Sequence, residues 1–139
     1  MSYLVDANVL SELRKGERCD PHVLSWFSTV AADEIFLSVL TIGEVRRAVE
    51  RIRRRDTRSA HALEAWLRRL IAEHSDRILP IDEEVAEEWG RLGVPDPIPV
   101  IDGLMAATAR VHGLTFATRN QKDVMRTGVP CVNPFSPTS

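Results

Sequence analysis

Tyr3-Leu4-Val5-Asp6-Ala7-Asn8-Val9-Leu10-Ser11 is the stretch that decides the fold. A short apolar run stops abruptly on an acid and passes at once into helical spacing. That pattern predicts a buried strand followed by a helix. Asp6 then stands at the carboxyl end of the first strand, where open α/β sheets place their ligands. Asp is also a common helix cap, so Asp6 has a local role available as well as a functional one.

The same alternation repeats along the chain. Asn8 to Arg14 reads as a short helix closed by Gly16, and Pro21 opens a second helix with Val23, Trp26, Phe27 and Val30 at helical spacing. Glu34 to Val39 reads as a second strand. Thr41 is expected to start a third helix with Ile42, Val45, Val49 and Ile52 as its apolar stripe. Asp56 precedes an amphipathic fourth helix carrying Leu63, Trp66, Leu67, Leu70 and Ile71 on one face. Arg77 to Ile81 is a third strand, and Asp82 caps a fifth helix that runs to about Leu92. After a Gly- and Pro-rich loop, Pro99 begins a sixth helix that Gly113 stops. Leu114 to Thr118 is a fourth strand, Gln121 to Thr127 a short helix, and Val129 to Val132 a fifth strand. Strands alternating with helices predict an α/β fold: a three-layer α/β/α sandwich around a central parallel sheet of about five strands, with right-handed crossovers.

Length and composition bound the rest. At 139 residues, with 44% hydrophobic and 27% charged residues, the chain is expected to form a single domain over residues 1–139. No apolar stretch is long enough for a membrane span, and the N-terminus lacks a basic region before an apolar one. A cytoplasmic protein is the expectation. Cys19 and Cys131 are too few for a disulfide framework and are expected as free thiols. The formal net charge of -2 argues neither for nor against nucleic acid. Its distribution is uneven: Arg46, Arg47, Arg51, Arg53, Arg54, Arg55 and Arg58 crowd one segment. A solvated helix face and a nucleic-acid or partner surface both fit that run.

Three more acids lie at element boundaries. Thr41-Ile42-Gly43-Glu44 has the form of a capping box, which accounts for Glu44 as well as a site role does. Asp102 sits one turn into an otherwise apolar helix, among Ile101, Leu104 and Met105, where a charge is costly unless paired or metal-bound. Asp123 follows the fourth strand in Thr118-Arg119-Asn120-Gln121-Lys122-Asp123, with Thr118 and Asn120 as further oxygen donors. In a sheet ordered 3-2-1-4-5, strands one and four flank the topological switch point, so Asp6 and the Thr118 to Asp123 segment border one crevice. Acids gathered there repel one another. Hard divalent cations such as Mg²⁺ or Mn²⁺ relieve that repulsion with oxygen ligands and support phosphodiester hydrolysis.

With those four segments in order, the chain resembles the PIN-domain family and, within it, the VapC-type toxins of toxin–antitoxin pairs. Leu4 to Glu12, Ser38 to Glu44, Ile101 to Ala109 and Thr118 to Val124 carry the resemblance. It implies a Mg²⁺- or Mn²⁺-dependent endoribonuclease with Asp6 and Asp102 as principal metal ligands and Glu44 completing the acidic cluster. The family's fourth acid falls after the fourth strand. The nearer position here holds Asn120, which leaves Asp123, while Asn8, Thr118 and Asn120 are expected to orient the site. The resemblance also implies a homodimer and a small antitoxin partner, with the apolar faces at Trp26 and Phe27, or at Trp66 and Leu70, as contact candidates. Arg46, Arg53 and Arg54 are candidates for guiding RNA or touching the partner.

Other classes fit less well. A phosphoacceptor receiver would need an acid ending the third strand, yet Asp56 lies in an arginine run. Neither glycine-rich phosphate loop occurs, and the four histidines form no H-E-x-x-H helix. The remaining alternative is a catalytically silent PIN-like module that binds RNA or protein.

Overall fold

The computed structural model describes residues 1–137. Five short parallel strands form one sheet in the order β3-β2-β1-β4-β5. These are β1 (Tyr3–Val5), β2 (Ile35–Ser38), β3 (Ile78–Leu79), β4 (Thr115–Ala117) and β5 (Cys131–Val132). In the centre, Leu4 lies opposite Phe36 on one side and Phe116 on the other, and Val5 opposite Ala117. Strands covered on both faces read as continuous apolar runs, which is how β1, β2 and β4 appear in the sequence.

The helices are α1 (Ala7–Leu13), α2 (Pro21–Ser28), α3 (Val39–Arg53), α4 (Thr57–Glu73), α5 (Glu83–Leu92), α6 (Val100–His112) and α7 (Gln121–Met125). Side-chain alternation along the strands divides the core between two layers. Val5, Leu37 and Ala117 point to a layer completed by Val9 and Leu10 of α1, Val23 and Trp26 of α2 and Leu70 of α4. Leu4 and Phe116 point the other way, onto Met105, Ala106 and Ala109 of α6 and Val124 of α7. The expected α/β/α sandwich is therefore present, with the expected strand order. Both cysteines are free thiols. Among the described residues no helix is long and apolar enough to cross a membrane.

One boundary differs from expectation in a way that matters for function. Helix α3 begins at Val39, two residues before Thr41, the expected start. Ser38, at the end of β2, is the cap, and its hydroxyl accepts from the Leu40 amide at 3.0 Å. Thr41 is therefore inside the first turn and fully buried. No capping box forms, because the residue that Glu44 would have to reach back to is already helical. The local explanation for Glu44 is gone, and its carboxyl is free for another role.

Candidate active site

Four chain segments converge at the carboxyl edge of β1 and β4. Asp6 follows β1 directly and is buried. Its two oxygens have separate partners: Oδ1 accepts from the Ala7 amide at 2.8 Å, and Oδ2 accepts from the Thr118 hydroxyl at 2.8 Å. Capping α1 and facing the crevice are thus one placement, not competing ones. Thr118 follows β4, is fully buried, and anchors its backbone by donating its amide to Val132 O at 3.0 Å. The Thr118 hydroxyl also accepts from the Asn120 amide at 3.1 Å. The Asn120 side chain in turn donates through Nδ2 to Asp102 Oδ2 at 3.1 Å. A continuous hydrogen-bond chain therefore runs from Asp6 through Thr118 and Asn120 to Asp102, across 112 residues of sequence at its longest step.

Asp102 enters from the first turn of α6, where the helix dipole favours a carboxylate. Its backbone is held close to α5 by Gly103. A Cβ at that glycine would lie 3.0 Å from Trp89 Cδ1, so any larger residue would press on the indole that lies here. Glu44 comes from α3, and its Oε1 is buried without a hydrogen-bond partner.

The electrostatics bind these three acids into one group. Burial pushes Asp6 above its ordinary 3.8, against the lowering effect of the Thr118 and Ala7 hydrogen bonds. Burial also raises Glu44, and repulsion from Asp6 and then Asp102 adds to it, with the Arg47 charge opposing. Asp102 is raised by burial first and by the Asp6 charge next; its bond from Asn120 acts the other way, and Asp123 raises it further. Glu44 and Asp102 both feel the charge of Asp6. A pocket of mutually repelling, partly desolvated carboxylates is one whose charged form calls for a cation.

Asp123 sits apart from the hydrogen-bond chain. It lies on α7, and Arg126 Nη2 donates to its Oδ1 at 3.3 Å. Asn8 is exposed on the first turn of α1, beside Asp6 in sequence. The arginines singled out in α3 divide: Arg46 reaches Glu64 at 2.6 Å and Glu50 at 3.1 Å, and Arg53 reaches the same two acids at 3.1 and 3.2 Å. These contacts stitch α3 to α4. Arg54 is exposed at the end of α3.

Two supports went unread in the sequence. The tail at Asn133 to Phe135 braces the site loop: the Arg119 guanidinium lies over the Phe135 ring at 4.3 Å, and Asn133 Oδ1 accepts from the Phe135 amide. The Trp89–Gly103 packing beside Asp102 was equally hidden, although a glycine next to an acid in an apolar helix was the available signal. The aromatic faces expected to meet a partner also separate. Trp26 belongs to the core. Phe27 and Trp66 line a mostly apolar groove of about 420 Å³ with Leu10 and Leu13, and the buried Leu70 lines it too.

The donor set suits a hard divalent cation: three carboxylates raised by burial, two of them also by repulsion from their neighbours, and one with a buried oxygen that nothing else satisfies. Among the described residues no three acids, histidines or cysteines stand close enough together to enclose an ion as placed.

The fold and this constellation define a class, and comparison with known proteins agrees. The PIN domain family matches residues 3–127, and the chain belongs to that family. It is 30% identical over 141 residues to the VapC ribonuclease Y4jK of Sinorhizobium fredii, covering 96% of this chain and 98% of that protein. It is also 30% identical over 139 residues to Toxin FitB of Neisseria gonorrhoeae, covering 95% and 97%. The crystal structure of FitAcB from Neisseria gonorrhoeae superimposes with a TM-score of 0.86 at 29% identity, over 96% of this chain and 98% of that one.

Proposed function

We propose that the chain is a Mg²⁺- or Mn²⁺-dependent endoribonuclease acting as the toxin of a toxin–antitoxin pair. The observation that carries this reading is the hydrogen-bonded Asp6–Thr118–Asn120–Asp102 chain with the unpartnered Glu44 oxygen beside it. Asp6, Glu44 and Asp102 would hold the ion, with Asp123 at the margin. A bound divalent cation supplies water activation and stabilises charge on the phosphate during in-line displacement.

The chain's own residues do the positioning. Thr118 holds one Asp6 oxygen by donating to it, so the carboxylate keeps a single orientation. Asn120 does the same for Asp102 with an amide proton where an acid would add a further charge. Asn8 borders the approach to Asp6 on an exposed turn. Asp123 contributes its field to Asp102 from α7, steadied by Arg126.

The partner reading rests on the family resemblance and on the groove at Leu10, Leu13, Phe27 and Trp66. An amphipathic antitoxin helix that lays its apolar face there fits the groove's chemistry. Homodimerisation belongs to the same reading. Val100 and Ile101 are exposed immediately before Asp102 in α6, and a second copy covering them would sit beside the site.

Purified chain, incubated with mixed RNA in Mg²⁺, Mn²⁺ or EDTA beside Asp6→Asn and Asp102→Asn, tests the activity. Cation-dependent cutting that both variants abolish is the expected result. A folded, cation-loaded chain that cuts no RNA would sink the nuclease reading and leave a binding module.

A further inference from the structure

A second charged feature lies outside the acidic crevice. Between α1 and α4 runs a cleft of about 460 Å³ lined by Ser11, Arg14, Lys15, Arg18, Trp66 and Arg69. Lys15 is neutralised by Glu12 at 3.0 Å. Arg14, Arg18 and Arg69 are exposed and have no ion-pair partner among the described residues. Three unpaired guanidiniums around one cleft repel each other, and an anion with several charges relieves that. This contrasts with Arg46 and Arg53, whose charges are already met by Glu50 and Glu64.

Two features select the kind of anion. The Arg14 guanidinium lies 5.9 Å from the centre of the half-buried Trp66 ring, so cation and aromatic surface are presented together. Arginine forks with an adjacent ring suit a single strand, whose phosphates take the guanidiniums and whose bases stack. The cleft lies along the helix that Asp6 caps. Helix α1 exposes Asn8 and Ser11 down one side, with Lys15 exposed just past its end. From the Asp6 cap to the Arg14 cap the seven-residue helix spans about 12 Å. A strand cut at Asp6 and Asp102 can follow it.

We propose that the α1–α4 cleft is a phosphate-binding subsite for single-stranded RNA, with Arg14, Arg18 and Arg69 holding the backbone away from the scissile bond. This rests on the ribonuclease reading above. Binding of a labelled single-stranded RNA of mixed sequence, followed by fluorescence anisotropy in EDTA over a range of salt, tests it without cleavage. The arms are the full chain, the triple variant Arg14→Ala/Arg18→Ala/Arg69→Ala, and the control triple Arg51→Ala/Arg55→Ala/Arg58→Ala, which removes the same charge from exposed positions around the turn between α3 and α4. Circular dichroism melts confirm that all three fold.

Loss of three phosphate contacts is expected to weaken binding by at least about tenfold and to reduce the salt slope by about 2, at about 0.7 per contact for a single strand. The control triple is expected to change affinity and slope much less. Equal weakening by both triples means only total charge matters, and the subsite is refuted. Unchanged RNA binding by the cleft triple, with loss of affinity for an acidic peptide, refutes it too and assigns the cleft to an acidic protein segment. If the unaltered chain fails to bind RNA at all, the ribonuclease reading falls with it.

Discussion

Replacing Thr118 by Val removes one hydroxyl and keeps the side chain's shape. That hydroxyl donates to a buried carboxylate at 2.8 Å and accepts from the Asn120 amide at 3.1 Å. A hydrogen bond to a charged group contributes about 1.5–3 kcal/mol, and Asp6 is buried. Thr118→Val is therefore expected to cost about 2 kcal/mol at pH 7, a fall in midpoint of roughly 6–8 °C for a chain of this length. The charge assistance exists only while Asp6 is ionised. Burial raises Asp6 above its ordinary 3.8, so that assistance is present above the raised value and is lost as pH falls through it. The gap between wild type and variant should narrow to about 1 kcal/mol in acid, where a neutral pair remains. The positioning role predicts a second loss, of about 10- to 100-fold in Mn²⁺ affinity. Thermal melts at pH 7 and pH 3, with Mn²⁺ titration calorimetry, read both. Thr118→Ser keeps the hydroxyl and should retain most of the affinity. Equal midpoints at pH 7 together with equal Mn²⁺ affinity would refute the positioning argument.

Other outcomes follow from the same geometry. Asp102 is raised above 3.8, so the folded chain binds more protons than the unfolded one in that window and stability falls as pH rises through it. Asp102→Asn should therefore melt higher than wild type at pH 7 in EDTA, match it at pH 3, and lose cleavage; a lower midpoint at pH 7 would contradict the repulsion. Asn120→Asp removes the donor to Asp102 and adds a charge, so it should melt lower in EDTA while gaining a larger Mn²⁺-induced rise, read by the same scans. Gly103→Ala gains about 1 kcal/mol of helix propensity. It also places a methyl 3.0 Å from Trp89, which costs about 1–3 kcal/mol. A lowered midpoint with altered indole fluorescence is expected, and an unchanged spectrum would show that Trp89 does not press on α6.

Much of this architecture was legible in the sequence because buried parallel strands and amphipathic helices leave periodic apolar patterns. The strand order, the placing of Asp6 and Thr118 at neighbouring strand ends, and the suspicion attached to Asp102 all follow from local pattern plus the handedness of crossovers. Glu44 was ambiguous for a local reason. A capping box and a site acid share one spacing, and only the ladder that ends β2 at Ser38 shows the helix starting too early for the cap.

What the tertiary structure alone decided is which charges remain free. Arg46 and Arg53 read as a basic surface until α4 brings Glu64 against them, and Arg14, Arg18 and Arg69 read as scattered until the fold sets the end of α1, the turn after it and α4 around one cleft. Asn120 and Asp123 are separated the same way, one turned to Asp102 and the other to Arg126. Periodicity encodes the burial of a side chain, because burial depends on the face of its own element. The partner of a charge depends on the residue that another element brings within a few ångströms, and no local pattern carries that information.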